Sequence, residues 1–211
     1  MFTSVFGEKH EGPLLDALLR LHAPTDGLLL DVTVNAGRVW VGAENSPDYT
    51  SDVNRTPGAS VIADAGRLPL ANDCARALVY DPPHIPNAGH SSKRLAQRFG
   101  TEKKTAATGY LFSDLHRSVL REAVRVLKPD GVVLAKICDI VHNHAYQWAL
   151  VDFIKCVREC GLTPCDLVIR TKPWPSMKDP RWKRQSHTRR AHSYWAVSRL
   201  GRCEPKRRGT A

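Results

Sequence analysis

Apolar positions along this chain follow two kinds of pattern, and their order describes an alternating α/β protein. Residues 13–22 (PLLDALLRLH) put Leu14, Leu15, Leu18, Leu19 and Leu21 on a helical period, with Pro13 tolerated in the first turn. Residues 27–32 (GLLLDV) form an unbroken apolar run apart from one acid, the mark of a strand buried on both faces. Weaker strands are expected at 49–53 and 59–64. Residues 77–80 (ALVY) are a second continuous run, stopped by Pro82 and Pro83, which cannot donate to a ladder and fix their own φ. A helix from Ser113 carries Leu115, Val119, Leu120, Ala123, Val124 and Leu127 on one face. It ends at the turn Lys128-Pro129-Asp130-Gly131, which leads into a strand over 131–137. A helix over 144–160 is expected to bury Trp148, Leu150, Val151, Phe153, Ile154 and Val157. Segments 165–170 and 192–199 predict a closing antiparallel pair. Strands and helices in this alternation predict an open, mostly parallel sheet.

Acids recur where these strands stop. Asp31, Asp64 and Asp81 each end a strand, and Asp52 is a fourth candidate, with Asp48 as its competitor. Ligands of open α/β sheets lie outside the carboxyl ends of the strands, so repeated acids there point to a binding site rather than to core packing. Asp64 also suits a helix N-cap, and the two roles are compatible. At Asp81 the next residues are Pro82, Pro83 and His84. Prolines offer carbonyls and no N–H, so the corner presents acceptors only. Such a corner suits an exocyclic amine, and the flat ring of His84 could lie on the heterocycle that carries it.

Charge and composition narrow the partners. The chain has 211 residues and a formal net charge of +10. Residues 166–211 hold thirteen Lys/Arg against three Asp/Glu, so the whole excess lies in the last fifth of the chain. A neutral body with a basic end suits a polyanion, most simply nucleic acid. The basic, tryptophan-bearing stretch 171–192 contributes Trp174, Arg181, Trp182, Lys183, Arg184, Arg189 and Arg190 as candidate contacts to phosphates and unpaired bases. Residues 85–109 are a long polar segment after the acceptor corner, read as a disordered connection or a substrate loop, with Lys93, Arg94, Lys103 and Lys104 placed to meet phosphates. The remainder, 201–211, reads as a basic tail. No long apolar span and no signal layout is present at the start, so a cytoplasmic protein with no membrane partner is expected. The six cysteines form no CxxC pair and are expected to stay reduced. His142, His144, Cys156 and Cys160 lack zinc spacing, and no metal is expected.

The Asp81-Pro82-Pro83-His84 corner resembles motif IV of the S-adenosylmethionine-dependent methyltransferases that modify adenine N6 or cytosine N4, the DPPY type. His84 departs from the family's usual Tyr, Phe or Trp. Asp31-Val32-Thr33-Val34-Asn35-Ala36-Gly37 is similar to the family's Asp-x-x-x-Gly-x-Gly loop, with Asn35 in place of the first glycine. Asp64-Ala65-Gly66-Arg67-Leu68-Pro69 resembles the family's adenine-reading segment, and Lys9-His10-Glu11-Gly12-Pro13 resembles a segment that folds over the cofactor. The resemblance spans about residues 9–199 and implies one methyltransferase domain over 1–200 with inserted loops. It implies an α/β, Rossmann-like class I fold: a mostly parallel seven-stranded sheet with an antiparallel last strand and helices on both faces. It implies S-adenosyl-L-methionine as cofactor, held by His10, Asp31, Thr33, Asn35, Gly37, Asp52, Asp64 and Ala65. Asp81, Pro82, Pro83 and His84 would be catalytic. The expected substrate is a base amine in nucleic acid, DNA before RNA. The alternatives are a ribosomal or transfer RNA base methyltransferase, or a basic nucleic-acid-binding module without catalysis. A nicotinamide-dependent oxidoreductase is disfavoured, since G-x-G-x-x-G is absent after the first strand.

Overall fold

The computed structural model describes residues 10–84, 113–142, 145–171 and 192–203. Its centre is a seven-stranded sheet of β1 (Leu28–Asp31), β2 (Tyr49–Asp52), β3 (Val61–Ile62), β4 (Ala75–Tyr80), β5 (Leu127–Ile137), β8 (Leu162–Thr171) and β9 (His192–Leu200), in the order β3-β2-β1-β4-β5-β9-β8. Neighbours from β3 to β5 pair in parallel, while β9 is antiparallel to both β5 and β8. The predicted mostly parallel sheet with a reversed last strand is therefore present. The order turns back at β1/β4, the point of such a sheet where ligands are expected, and Asp31 and Asp81 stand at the ends of these two strands.

Alternating residues of the central strands serve opposite faces. Leu29, Ala77, Val79, Val132, Leu134 and Trp195 pack against helix α1 (Gly12–His22) through Leu14, Leu15, Leu18 and Leu19. Leu30, Leu78, Tyr80, Val133 and Ala135 pack against helices α2 (Ser113–Val126) and α3 (Ala149–Glu159). Every residue of β4 from Ala77 to Tyr80 is fully buried, as its continuous apolar run requires. Gly12 marks a tight approach: a Cβ there would stand 2.3 Å from the Ala43 amide nitrogen, so only glycine lets the 41–43 segment cross the start of α1.

Four local expectations are corrected. The strand expected at 59–64 is only Val61–Ile62, because Asp64 turns the chain by accepting from the Gly66 amide. The following segment is then clipped to α2, where Glu122 accepts from the Leu68 amide and Arg125 donates to the Leu68 and Leu70 carbonyls. The Lys128–Gly131 turn is a bulge inside β5, with Asp130 at φ 64°. The helix expected from residue 144 begins at Ala149. Before it, β6 (Ile140–His142) and β7 (Ala145–Gln147) make a two-stranded hairpin. Trp148 and Val151, expected in the core, are 64% and 61% exposed, and only Phe153, Cys156 and Val157 of this helix are buried. Helical period alone mistook a two-sided pattern for a wide apolar face.

A fifth correction concerns the thiols. Cys165 on β8 and Cys203 just beyond β9 form a disulfide, with Cα atoms 5.6 Å apart, although Cys203 lies past the last paired residue of β9, Leu200, after the left-handed Gly201. The other four cysteines are not disulfide-bonded. Among the described residues no helix is long and apolar enough to cross a membrane.

Candidate active site

The carboxyl ends of β1, β2 and β4 meet at one edge of the sheet, and their acids are held in two ways. At the β1 tip Asp31 is 1% exposed. Its Oδ1 accepts from the Thr33 amide at 3.1 Å and its Oδ2 from the Trp40 indole at 2.7 Å. Both oxygens therefore shape the 31–40 loop. Burial pushes the Asp31 carboxyl up to about 7; the indole and amide oppose this, and the charges of Asp81 and Asp52 add to it.

Asp52 closes the same loop from β2. Its Oδ2 accepts from the Asn35 amide at 3.0 Å and its Oδ1 from the Asn54 amide at 3.0 Å. Asn35 has φ 49° and Gly37 φ 66°, so the loop makes the left-handed bends that its resemblance required, with asparagine serving where glycine is usual. A Cβ on Gly37 would meet nothing within 4 Å, so the backbone there faces open space. Gly58 packs on the loop and donates to the Asn35 carbonyl at 3.0 Å. The competitor Asp48 sits elsewhere: its Oδ2 accepts from the Leu29 amide at 2.7 Å, at the entry to β1. Asp64 is exposed, and Ala65 beside it is buried. His10 is exposed at the start of the described chain.

Thr33 joins this edge to the acceptor corner, its Oγ1 accepting from the Asp81 amide at 2.7 Å. Asp81 itself follows the end of β4, with its side chain 25% exposed. The His84 imidazole Nε2 stands 3.1 Å from Oδ1, off the line of a hydrogen bond, so charge holds the pair. The Lys136 ammonium stands 3.6 Å from Oδ2. Burial would raise the Asp81 carboxyl, but His84 and Lys136 overturn that and hold it below the usual carboxylate range. Burial would likewise depress His84; the Asp81 carboxylate and the neighbouring Cys138 sulfur instead push it up to about 9.

Sequence reasoning missed the support beneath Asp81. Glu11, at the N-cap of α1, accepts from Lys136 at 2.8 Å, Trp195 at 3.0 Å and Arg170 at 3.3 Å. Glu11 and Lys136 are 12% and 14% exposed. The available signal was Lys136 itself, a lone cation inside the buried run Val132–Ile137, since a buried charge needs a partner. Trp40 carried no comparable signal, because a loop tryptophan has many uses.

A small cleft opens beside the corner. It is lined by Pro82, Pro83, His84, Cys138, Gln147, Ala149 and Asp152, among others. His116 lies at its back, buried, with its Nδ1 3.0 Å from the Tyr80 hydroxyl. Burial and the charge on His84 press His116 down to about 3, which keeps the ring neutral. Cys156 and Cys160 face α2, their sulfurs near the Ser113 and Arg117 carbonyls. The candidate nucleic-acid contacts Lys93, Arg94, Lys103, Lys104, Trp174, Arg181, Trp182, Lys183, Arg184, Arg189 and Arg190 lie outside the described residues.

No family model and no curated protein matches the chain. Solved structures do. A candidate methyltransferase from Bacillus halodurans superposes with a TM-score of 0.52 at 14% identity, over 90% of this chain and 99% of that one. A SAM-dependent methyltransferase from Leishmania major gives 0.51 at 12% identity, over 88% and 69%. A candidate DNA modification methylase from Thermus thermophilus gives only 0.44 at 18% identity, over 69% and 54%, so this chain spans about half its length. At such identities the likeness concerns architecture alone. Sheet order, the reversed strand and two-sided helix packing, together with the first two likenesses, establish that this chain has the fold of class I S-adenosylmethionine-dependent methyltransferases.

Proposed function

We propose that this protein transfers a methyl group from S-adenosylmethionine to an exocyclic amine of a nucleobase in nucleic acid, with DNA adenine N6 or cytosine N4 as the first candidates. The observation that carries the reading is the placement of Asp81. It is a partly exposed carboxylate at the end of the central strand β4, braced by Thr33 from the β1 tip, and the Pro82, Pro83 and His84 that follow it line a cleft.

The residues at the β1–β2 edge fit the cofactor. Asp52 and Asp64 each hold one or two backbone amides, leaving lone pairs for ribose hydroxyls and an adenine edge, since a carboxylate has about four acceptor sites. The open face at Gly37 admits a ligand against the backbone. Asp31 shapes this loop, and Thr33 ties it to Asp81. When bound, S-adenosylmethionine supplies an electrophilic methyl group on sulfonium.

At the corner, Asp81 accepts one hydrogen bond from the amine and the Pro82 carbonyl accepts another, which turns the nitrogen lone pair toward the donor. With imidazolium against one oxygen and ammonium against the other, Asp81 stays ionised. It therefore orients the amine, and after the methyl–sulfur bond breaks the proton lost from the methylated nitrogen passes to solvent. His84 lines the cleft, where its ring can lie on the heterocycle. A base in a duplex must leave the stack to reach this position, or the strand is already single.

Incubation with labelled cofactor and separate DNA, ribosomal RNA and transfer RNA pools, followed by nucleoside mass spectrometry, identifies the product. Asp81→Ala is expected to abolish transfer, with calorimetric binding of S-adenosylmethionine unchanged. Retained transfer would exclude the role given to Asp81. A wild type that never binds the cofactor would favour the non-catalytic module, a reading that the occupation of Asp81 by His84 keeps in view.

A further inference from the structure

The corner between β7 and α3 departs from what its sequence led one to expect. Trp148 is 64% exposed, and Val151, one turn along the same helix face, is 61% exposed. Trp148 also occupies the N-cap of α3, where Ser, Thr, Asp or Asn is usual, and makes no side-chain cap. The capping is done from outside the helix: Asp139, just past β5 and 4% exposed, accepts from the Leu150 amide at 3.1 Å. Position 148 is thereby released to carry a large ring into solvent. That ring does not swing freely. It packs edge-on against Tyr146 with centroids 4.9 Å apart, and the Tyr146 hydroxyl donates to the same Asp139 at 3.2 Å.

The residues on either side of Trp148, Gln147 and Ala149, line the cleft next to Asp81, as does Asp152. The tryptophan thus stands between two residues that line this cleft, beside the acceptor corner that takes the target amine in the function proposed above, on which this inference rests. A braced, exposed indole is a stacking platform, and bases of every sequence have a face to offer it. The chain's net charge of +10 favours a strand of phosphates as the ligand that brings such bases.

We propose that Trp148 is a base-stacking subsite: it holds the unpaired nucleotide next to the target in a single strand, or next to an extruded base in a duplex. The neighbouring Gln147, with an amide donor and an acceptor on the cleft side, meets the edge of the target ring.

The test is equilibrium binding of a fluorescein-labelled single strand of about a dozen nucleotides, in DNA and RNA forms. The protein is the full chain, compared with its Trp148→Ala and Trp148→Phe variants. Trp148→Ala is expected to weaken binding about tenfold, the lower end of a lost base–aromatic stack. Trp148→Phe should bind within about threefold of the wild type, since a smaller ring still stacks. Calorimetric affinity for S-adenosylmethionine should be the same in all three. Equal strand affinity in wild type and Trp148→Ala overturns the subsite, as does a wild type that binds no strand. A wild-type dimer in sedimentation that Trp148→Ala dissolves also overturns it, by assigning the face to a second copy. Strand binding that depends on Trp148 without any methyl transfer would leave the subsite standing and remove the reading of Asp81. Transfer with an indifferent Trp148 would do the reverse.

Discussion

Two acid-rich corners share one edge of this sheet, and they neutralise their carboxylates by opposite means. At the β1–β2 corner, Asp31 and Asp52 are satisfied by backbone amides and an indole, with no cation in contact among the described residues. At the β4–β5 corner, Asp81 faces an imidazolium and an ammonium, with Glu11 beneath them. The result is a carboxyl pushed up to about 7 on one side and one held below the usual range on the other. Residue type does not decide ionisation here; the neighbours do. The amide-held corner fixes the shape of a loop, whereas the cation-held corner keeps a permanent acceptor.

The largest effect expected from breaking this contrast comes from Lys136→Met. It leaves Glu11 mostly buried and takes one cation from Asp81. Glu11 keeps Arg170 and Trp195 as partners, so the loss is that of one charged hydrogen bond, about 2–3 kcal/mol, and not the full penalty of a lone buried charge. Urea unfolding should show a loss of that order, and methyl transfer should fall at neutral pH as the Asp81 carboxyl rises. An unchanged midpoint would mean that the Glu11–Lys136 network is not structural.

Next in size is the pH dependence carried by Asp31. Its folded value lies above its unfolded value of 3.8, so between about pH 4 and 7 the folded state binds more protons. Stability from this group is therefore present at low pH and lost as pH rises across that window. One unit of displacement is about 1.4 kcal/mol. Asp31→Asn should flatten this slope, whatever it does to absolute stability through the altered Thr33 and Trp40 contacts. A slope identical to the wild type's would remove Asp31 as its source.

His84 acts in the same sense at the other corner but over a more alkaline window, and there a charged partner and not burial sets the shift. A histidine raised from 6.5 to about 9 lends stability below pH 6.5 and loses it as pH passes 9. The ring is 27% exposed, which reduces the effect to about 1 kcal/mol. His84→Phe should remove the alkaline limb from thermal stability while keeping a ring for stacking. It should also leave Asp81 relying on Lys136, and its pH–rate profile reports whether the imidazolium competes with the substrate amine. Smallest of all is Asn35→Gly, expected to change stability by under about 1 kcal/mol and to leave cofactor binding intact, because φ 49° suits both residues. A large loss of affinity would show that the Asn35 side chain touches the ligand.

How much of this was legible beforehand differs by element. The continuous runs at 28–31, 77–80 and 132–137 named the central strands, since a strand covered on both faces must be apolar at nearly every position. The proline pair placed Asp81 at a strand end, and the preference of asparagine for left-handed angles carried the loop through its missing glycine. The helix after β5 was misread at its start, because Trp148 and Val151 fit a helical period equally well on a wet face. The disulfide between Cys165 and Cys203 had no spacing motif to announce it.

Sequence alone determined the tips of β1 and β4, with Asp31 and Asp81 at them, and the proline corner, because periodicity and proline stereochemistry act over a few residues. Tertiary structure alone decided which charges those acids meet. Glu11, Lys136, Arg170 and Trp195 come from four separate elements, and their meeting depends on strand order and register across the whole sheet. Coulombic and desolvation energies turn on distances between groups far apart in the chain, and no local pattern encodes them.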